Sequence, residues 1–235
     1  MNARPSLRQP RTGAFTLIEL LTVIAIIAIL MGLLFPALAA AKEQARRTAA
    51  ATAVRNIVNA CKSYQTDYGK FPPVPTALVG TVNTSGYYAY GDTTTGGCAL
   101  GNNELFDILR SIGTRGVNVG NVMNKRQQKY FEMGKAKDPA TPRDGFIDGS
   151  GYTGTQGQLM DPWGAQYCIV LDAADNGTID IGAFYTDLAG PTNVLRVSAA
   201  VFSMGKDGKR GGKGYQNQYR KAASSEAPDD IVSWQ

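Results

Sequence analysis

The sequence predicts an α+β protein in which a long N-terminal helix packs on a small antiparallel β-sheet, with a loop at the C-terminus. Residues 20–41 contain no charge and one hydroxyl, that of Thr22, and this run is typical of a buried or membrane-spanning helix. Beyond it, apolar residues recur at spacings of three and four. Short apolar runs separated by Gly, Asn and Pro after residue 160 predict the strands.

The first half of the predicted helix is long enough to cross a bilayer, which needs about 20 apolar residues. Arg4, Arg8 and Arg11 precede it without any acid, and this bias predicts a cytoplasmic N-terminus. A secretory signal peptide is the alternative. Against it, the run exceeds the roughly 7–15 apolar residues of a signal core. Helix-forming sequence also continues past Ala41, and Glu19 places a costly charge near the start of the run.

The second half of the helix is predicted to be amphipathic. Its apolar positions form one stripe, made of Val54, Ile57, Val58, Cys61, Tyr64 and Tyr68. Gly69 and the Phe71-Pro72-Pro73 run then end the helix. We expect one helix from Phe15 to Tyr68, kinked or locally melted at Pro36, because proline removes a backbone hydrogen bond.

The remaining elements are shorter. Leu105, Ile108 and Leu109 predict a helix over residues 104–111, capped by Asn102 or Asn103. Pro162 and Gly164 predict a turn, with Trp163 as its apolar anchor. Strands are predicted at residues 168–171, 178–185 and 196–202, and the first two are expected to form a hairpin at Asp175-Asn176-Gly177.

Residues 13–21, GAFTLIELL, resemble the prepilin cleavage and methylation motif of type IV pilins and type II secretion pseudopilins. The family has a basic leader, a small residue at the cut, Phe at the first mature position and Glu at the fifth. The resemblance implies a pilin-like fold. It also implies that a prepilin peptidase cuts this chain on the cytoplasmic side and methylates the new amine.

Two cleavage registers are open. A cut between Ala14 and Phe15 makes Phe15 the first mature residue, Glu19 the fifth and Pro36 the twenty-second, where the family often has a proline. A cut between Gly13 and Ala14 would make Glu19 the sixth residue. We therefore expect cleavage at Ala14–Phe15 and N-methylation of Phe15.

The resemblance implies a role for Glu19 in subunit assembly. The cationic amine of mature Phe15 would pair with Glu19 of a neighbouring subunit, and the low dielectric of a membrane or filament core would strengthen that attraction. This pair would set the register of each incoming subunit. The alternative is that Glu19 merely reaches to the membrane interface.

Three further stretches resemble the type II major pseudopilin: the Tyr68–Pro73 end of the stem, the DPWGAQY run at 161–167, and the SMGKDG run at 203–208, which is followed by DDI at 229–231 and Trp234. In that family the C-terminal loop folds around one calcium ion.

The calcium resemblance maps onto particular residues of this chain. The carboxylates of Asp207, Asp229 and Asp230, with the carbonyl of Met204, are the implied ligands, and calcium prefers six to eight such oxygens. The alternative is an ordinary surface loop, in which cations of the intervening segment neutralise the acids. Those cations are Lys209, Arg210, Lys213, Arg220 and Lys221.

Composition argues for a structural rather than a catalytic protein. The chain has 24 basic and 19 acidic residues, and removing three leader arginines leaves 21 against 19, a net charge of +2. This balance gives no case for nucleic acid as a partner. Histidine is absent, which removes the commonest general base. A membrane-anchored enzyme, the alternative from another class, has no nucleophile motif in its favour.

The three cysteines are Cys61, Cys98 and Cys168. Cys61 lies on the apolar stripe of the helix, which predicts a buried thiol. A bridge between Cys98 and Cys168 is left open, because sequence does not fix the geometry that a disulfide needs.

Together these observations divide the chain into a leader (1–14), a transmembrane and filament-core helix (15–38), a stem helix (39–69) and a head (70–235). We expect a single-pass protein of the bacterial inner membrane, cytoplasmic at its N-terminus and periplasmic at its head. The expected partners are prepilin peptidase, further copies of this chain, other pseudopilins and the inner-membrane assembly platform. The expected function is to build the filament that drives type II secretion. The alternative is a major or minor type IV pilin used in adhesion, motility or DNA uptake.

Overall fold

The computed structural model describes residues 16–73, 86–94, 98, 100–185, 193–212, 215–216 and 229–234. By their contacts, the residues form two compact units, Met1–Gln44 and Ala45–Gln235. The first contains the apolar part of the N-terminal helix. The second contains the rest of that helix and all of the strands, and it confirms the predicted α+β class.

Helix α1 spans Leu17–Tyr68, close to the predicted bounds, with Pro36 inside it. Gly69 follows the last turn at φ +71°, and its N–H donates to the carbonyl of Gln65 at 2.7 Å. A left-handed glycine at this position is a common way to end a helix, because it lacks the Cβ that would clash. The predicted stop at Gly69 is therefore confirmed.

The main sheet has four antiparallel strands: β1 (Tyr87–Tyr90), β4 (Cys168–Asp172), β7 (Ala199–Ser203) and β10 (Ile231–Val232), in the spatial order β1-β4-β7-β10. Ile169 pairs with Tyr90 on one side and with Val201 on the other. Shorter strands form three two-stranded ribbons: β2 (Gly145–Phe146) with β3 (Leu159–Met160), β5 (Ile179–Asp180) with β6 (Val194–Leu195), and β8 (Gly211–Gly212) with β9 (Tyr215–Gln216).

The two faces of the main sheet border two different apolar clusters. Ile169 and Leu171 of β4 belong to the cluster that contains Ile57 and Tyr64 of α1, and we call this the helix side. Cys168 and Val170 belong to the other cluster, on the far side, with residues such as Phe184 and Phe202. This alternation follows from the period of two along a strand. Because both faces are covered, every residue of β4 and β7 is buried.

Helix α2 spans Asn102–Leu109, two residues earlier than predicted. The predicted asparagine cap is wrong: Gly101 is the N-cap residue and makes no side-chain capping bond. The Asn102 side chain instead donates to the carbonyls of Leu159 and Tyr167 and accepts from the N–H of Leu159. The Asn102 side chain therefore bonds to backbone groups that are distant in sequence, although the local pattern predicts a helix cap.

The predicted hairpin at Asp175-Asn176-Gly177 is also wrong. The turn exists, with Asp172 accepting from the N–H groups of Ala174 and Gly177. However, β4 pairs with β1 and β7, whereas the strand after the turn, β5, pairs with β6. An Asn-Gly pair favours a reversal of the chain, but here the two flanking strands pair with other strands and not with each other.

The long irregular region between α2 and β4 is held by buried asparagines. The Asn118 side chain donates to the carbonyls of Asp107 and Ile112 and accepts from the N–H groups of Met123 and Asn124. Each of these bonds satisfies a backbone group that no helix or strand satisfies, as buried polar groups require.

Ion pairs secure the same region. Arg115 Nε lies 3.0 Å from Asp107 Oδ1, while Arg110 and Arg115 both reach Asp148, at 2.5 and 3.2 Å. Burial raises the pKa of Asp107 to about 6, although Arg115 opposes the rise. Asp148, part of a turn-rich stretch in the sequence, therefore has a structural role in the described structure.

Candidate assembly helix and C-terminal acidic loop

The N-terminal half of α1 exposes a continuous apolar surface. Its large exposed side chains are Leu17, Ile18, Leu20, Leu21, Val23, Ile24, Ile26, Ile27, Ile29, Leu30, Met31, Leu33, Leu34, Phe35 and Leu38. Within the described residues, α1 is the one helix whose length and composition suit a membrane span. An exposed apolar surface of this extent marks a membrane or protein interface, which agrees with the predicted transmembrane and filament-core segment.

Glu19 closes a hydrogen-bonded capping box at the start of α1. Its Oε2 accepts from the Thr16 N–H at 2.8 Å and from the Thr16 hydroxyl at 2.7 Å. The Thr16 hydroxyl oxygen in turn accepts from the Glu19 N–H at 3.3 Å. Thr-x-x-Glu is the sequence pattern of a capping box, so this role of Glu19 is visible in the sequence beside its charge. Within one chain, Glu19 therefore has Thr16 as its partner.

The other residues predicted at this end are placed as follows. Gly13, Ala14 and Phe15, which carry both cleavage registers and the methylation site, lie outside the described residues. Pro36 lies within α1. The structure thus describes Glu19 and Pro36, while the processing of the chain remains a prediction.

The C-terminal acidic loop is assembled by strand register. Ile231 of β10 pairs with Ser203 at the end of β7. In an antiparallel pair, the residues just before Ile231 lie beside those just after Ser203. Asp229 and Asp230 are therefore brought to the turn that contains Asp207, so the three predicted carboxylates do come to one region. We call residues 203–208 with 229–230 the acidic loop.

Backbone N–H groups hold Asp229 and Asp207 in this loop. Asp229 Oδ2 accepts from the N–H groups of Lys206 and Asp207, at 2.5 and 3.0 Å, and Asp207 Oδ1 accepts from the Lys209 N–H at 2.8 Å. The chains approach closely at Gly205, φ +64°, where an added Cβ would lie 2.7 Å from Asp229 Cγ. Glycine is therefore needed at this position.

Asp230 is the buried carboxylate of the loop, at 5% exposure. Its Oδ2 accepts from the Tyr185 hydroxyl at 2.7 Å and from the Gly211 N–H at 2.8 Å. Its Oδ1 is buried and has no hydrogen-bond partner within the described chain. Tyr185, which no sequence pattern indicated, is thus the side-chain partner of this predicted ligand.

Burial and neighbouring negative charge destabilise the ionised carboxylates of the acidic loop. Burial raises the pKa of Asp230 to about 7, and the charges of Asp229 and Asp207 add to the rise against two hydrogen bonds that oppose it. Burial, together with the charge of Asp229, also raises the pKa of Asp207. These shifts mean that a proton or a cation would stabilise the loop.

The three carboxylates do not yet form a ligand set. Among the described residues, no group of three or more Asp, Glu, Cys or His side chains converges as metal ligands. The Met204 side chain is buried in the far-side cluster, so its backbone carbonyl is the part available to the turn. The unsatisfied Oδ1 of Asp230 and the raised pKa values fit a cation, whereas the present spacing of the carboxylates does not enclose one.

Of the predicted neutralising cations that the structure describes, Lys209 opposes the rise in the pKa of Asp207 through its charge. Arg210 donates to the carbonyls of Ala183 and Phe184 instead of to an acid. Lys213, Arg220 and Lys221 lie outside the described residues.

Asp161, fully buried, holds the DPWG turn: its Oδ1 accepts from the N–H groups of Trp163, Gly164 and Ala165 at 2.8–2.9 Å. Oδ2 accepts from the Ser203 hydroxyl at 2.6 Å. Trp163 is half-buried, and its role as the apolar anchor of the turn stays a prediction. Ser203 thereby joins the DPWG turn directly to the acidic loop.

Comparison with known proteins agrees with the N-terminal geometry. Residues 10–35 match the family model described as the prokaryotic N-terminal methylation motif. The motif is a type IV pilin-like prepilin signal, and it implies processing by a prepilin peptidase and assembly into a filament. The matched residues include both cleavage registers, Glu19 and most of the exposed apolar part of α1. No curated protein and no solved structure matches the chain.

Proposed function

We propose that this chain is a structural pseudopilin of a type II secretion system. A prepilin peptidase removes residues 1–14 and methylates Phe15. The protein then stands in the inner membrane with its N-terminus cytoplasmic and its head periplasmic. Subunits leave the membrane and stack, with other pseudopilins and an assembly platform, into a filament that pushes exported proteins outward. The chain itself catalyses no reaction.

The observation that carries this proposal is the exposed apolar half of α1, which begins at Leu17 and contains Glu19, within the matched methylation motif. No other part of the chain that the structure describes covers the large apolar side chains of this half. In a membrane the lipid covers them, and in a filament the same surface packs against the helices of neighbouring subunits. One helix can therefore serve both states.

The head supports secretion rather than a generic membrane anchor. The two stretches that resemble major pseudopilins, at 161–167 and 203–208, contact each other through the bond from Ser203 to Asp161. The second stretch in turn contacts Asp229, whose carboxylate accepts from the N–H groups of Lys206 and Asp207. Residues that resemble one family in separate parts of the sequence thus form one structural unit.

The test separates the charge of Glu19 from its capping role. Glu19→Gln keeps a capping-box acceptor but removes the charge, whereas Glu19→Ala removes both. In a strain that depends on this subunit, we expect both variants to be processed at Ala14–Phe15 and both to lose filaments and secretion. Intact mass of the membrane-extracted protein reports cleavage and methylation in the same samples.

A Glu19→Gln variant that assembles normally would show that capping, and not charge pairing, is the role of Glu19. An unprocessed wild-type chain would overturn the proposal. If the matured protein forms surface pili and secretion is unaffected by its loss, the alternative applies: a major or minor type IV pilin, which uses the same N-terminal signal.

We also propose that the acidic loop closes on one calcium ion, held by Asp207, Asp229, Asp230 and the carbonyl of Met204. The support is chemical: Asp230 has a buried oxygen without a hydrogen-bond partner among the described residues, and the pKa values of Asp207 and Asp230 are raised, mainly by burial. Calcium would neutralise the charge and bring the loop strands together. We expect calcium at pH 8 to raise the Tm of the wild-type chain and to leave that of Asp230→Asn unchanged; equal shifts in both would contradict this assignment.

A further inference from the structure

Strand alternation separates the three cysteines into one pair and one isolated thiol. Cys168 is on the far side of β4, in the cluster that also contains Cys98. Cys61, on α1, belongs to the cluster on the helix side of the same sheet. The sheet therefore lies between Cys61 and the other two thiols, and the one pairing that the fold permits is between Cys98 and Cys168.

The Cys98 and Cys168 sulfurs meet at Gly91, the residue that follows β1. A Cβ placed on Gly91 would lie 2.8 Å from Cys168 Sγ and 2.9 Å from Cys98 Sγ. Both sulfurs therefore lie against the one small volume that a Gly91 side chain would occupy. A hydrogen bond with Cys168, together with burial, raises the pKa of the Cys98 thiol. The two sulfurs are thus neighbours, and Gly91 is the residue whose missing side chain leaves room for both.

The backbone around Cys98 holds this contact. Gly91 N–H donates to the carbonyl of Leu100 at 2.6 Å, and Cys98 N–H donates to the carbonyl of Asp92 at 3.1 Å. These bonds return the chain to the end of β1 after the turn. Cys168, at the first position of β4, is fixed by pairing with Phe202. Both cysteines are therefore positioned by main-chain bonds.

We propose that the mature protein carries a disulfide bond between Cys98 and Cys168, with Cys61 as a free buried thiol. The proposal rests on the proposed function in one respect, which is that the head reaches an oxidising compartment. The oxidant is a disulfide of a thiol oxidoreductase or of glutathione. One thiolate attacks it to form a mixed disulfide, and the second thiolate displaces the carrier. The Cys98–Cys168 bond forms, the carrier's two sulfurs leave as thiols, and two electrons and two protons pass to the carrier.

The bond would close a ring of about 70 residues that includes α2 and the irregular region before β4. A ring of this length strongly limits the freedom of the unfolded chain, and the stabilisation by a disulfide grows with ring length. Cys98 is 4% exposed and Cys168 is fully buried. Once formed in the folding head, the bond would be shielded from reductants.

The experiment counts thiols in the full-length protein extracted from membranes into detergent. The sample is denatured in the presence of N-ethylmaleimide, with and without prior reduction, and its intact mass is measured. We expect one label without reduction and three after it. Non-reducing peptide mapping should link the peptide containing Cys98 to that containing Cys168. Once a reductant has opened the Cys98–Cys168 bond, the Tm of the protein should fall by roughly 10 °C.

Matched variants keep the test independent of folding defects. Cys61→Ser should take no label without reduction, and Cys98→Ser and Cys168→Ser should each take two. Three labels on the unreduced wild type, or a link that involves Cys61, would overturn the inference. The same spectrum reports the N-terminus: a processed, methylated chain with three free thiols leaves the proposed function standing, whereas an unprocessed chain with the bridge supports the bond and contradicts that function.

Discussion

Asp161 of the DPWG turn and Asp230 of the acidic loop are both buried, yet their surroundings differ. Asp161 accepts three backbone N–H bonds on Oδ1 and the Ser203 hydroxyl on Oδ2. Asp230 accepts two bonds on Oδ2, while its Oδ1 lacks a described partner. A buried polar atom without a partner costs free energy that a bonded one does not. The DPWG turn is thus complete as it folds, whereas the acidic loop has room for a proton or a cation.

The largest expected effect is at Asp161. Asp161→Ala removes the acceptor of four hydrogen bonds and leaves three backbone N–H groups without it, so we expect a loss of about 4–5 kcal/mol in the free energy of unfolding. Asp161→Asn, which keeps an oxygen at the turn, should lose less. Urea unfolding of the full chain in detergent, followed by tryptophan fluorescence, measures both. A loss below about 1 kcal/mol for Asp161→Ala would mean that the turn does not depend on this carboxylate.

The next effect is a pH dependence at Asp230. Its pKa in the folded chain is about 7, above the ordinary 3.8, so the folded state holds a proton that the unfolded chain has released. Without divalent cations, stability from this group is therefore highest below pH 4 and falls until about pH 7, by roughly 2–4 kcal/mol.

The measurement compares wild type with Asp230→Asn between pH 5 and 8 in a chelating buffer. We expect the wild type to lose stability as the pH rises, and the Asn variant to lose less, because its side chain does not ionise. Asp107, whose pKa is about 6, adds a slope of the same sign to both proteins. Parallel pH profiles for the two proteins would contradict the assignment to Asp230.

A smaller effect is expected at Gly205, the point of closest approach in the acidic loop. Gly205→Ala places a Cβ against Asp229 at a φ of +64°, which we expect to cost about 2 kcal/mol. Gly208→Ala is the matched control, because Gly208 has a similar φ of +65° but open space around it. A Gly205 variant no less stable than the Gly208 variant in thermal unfolding would show that the contact with Asp229 is not tight.

The smallest effects concern the one hydroxyl donor of each carboxylate. Ser203→Ala and Tyr185→Phe each remove one bond, at a cost of about 1 kcal/mol. They should differ in pH dependence: Tyr185→Phe leaves Asp230 with a single described donor and steepens the loss of stability from pH 5 to 8. Ser203→Ala leaves Asp161 with three donors, but it removes the side-chain hydrogen bond that lowers the pKa of Asp161, so it should add a smaller slope of the same sign. Equal slopes in the two variants would remove the distinction between the carboxylates.

Some features could be predicted from the sequence because they depend on neighbours along the chain. The extent of α1 follows from the uncharged run, the stripe ending at Tyr68 and the stop at Gly69, all local patterns. Thr16 and Glu19 carry the capping-box spacing in the same way. The α+β class and the presence of a small antiparallel sheet follow from similar local signals.

The tertiary structure decided which elements meet, since pairing depends on free energies summed over the whole head. The Asn176-Gly177 turn was visible, but the partners of β4 lie at Tyr87–Tyr90 and Ala199–Ser203, and no local pattern names them. The register of Ile231 against Ser203 brings Asp230 to Tyr185, and the side of β4 on which Cys168 lies gives it Cys98 as neighbour. The sequence by itself thus determined the anchor and its chemistry, while long-range strand pairing determined which carboxylates and thiols face one another.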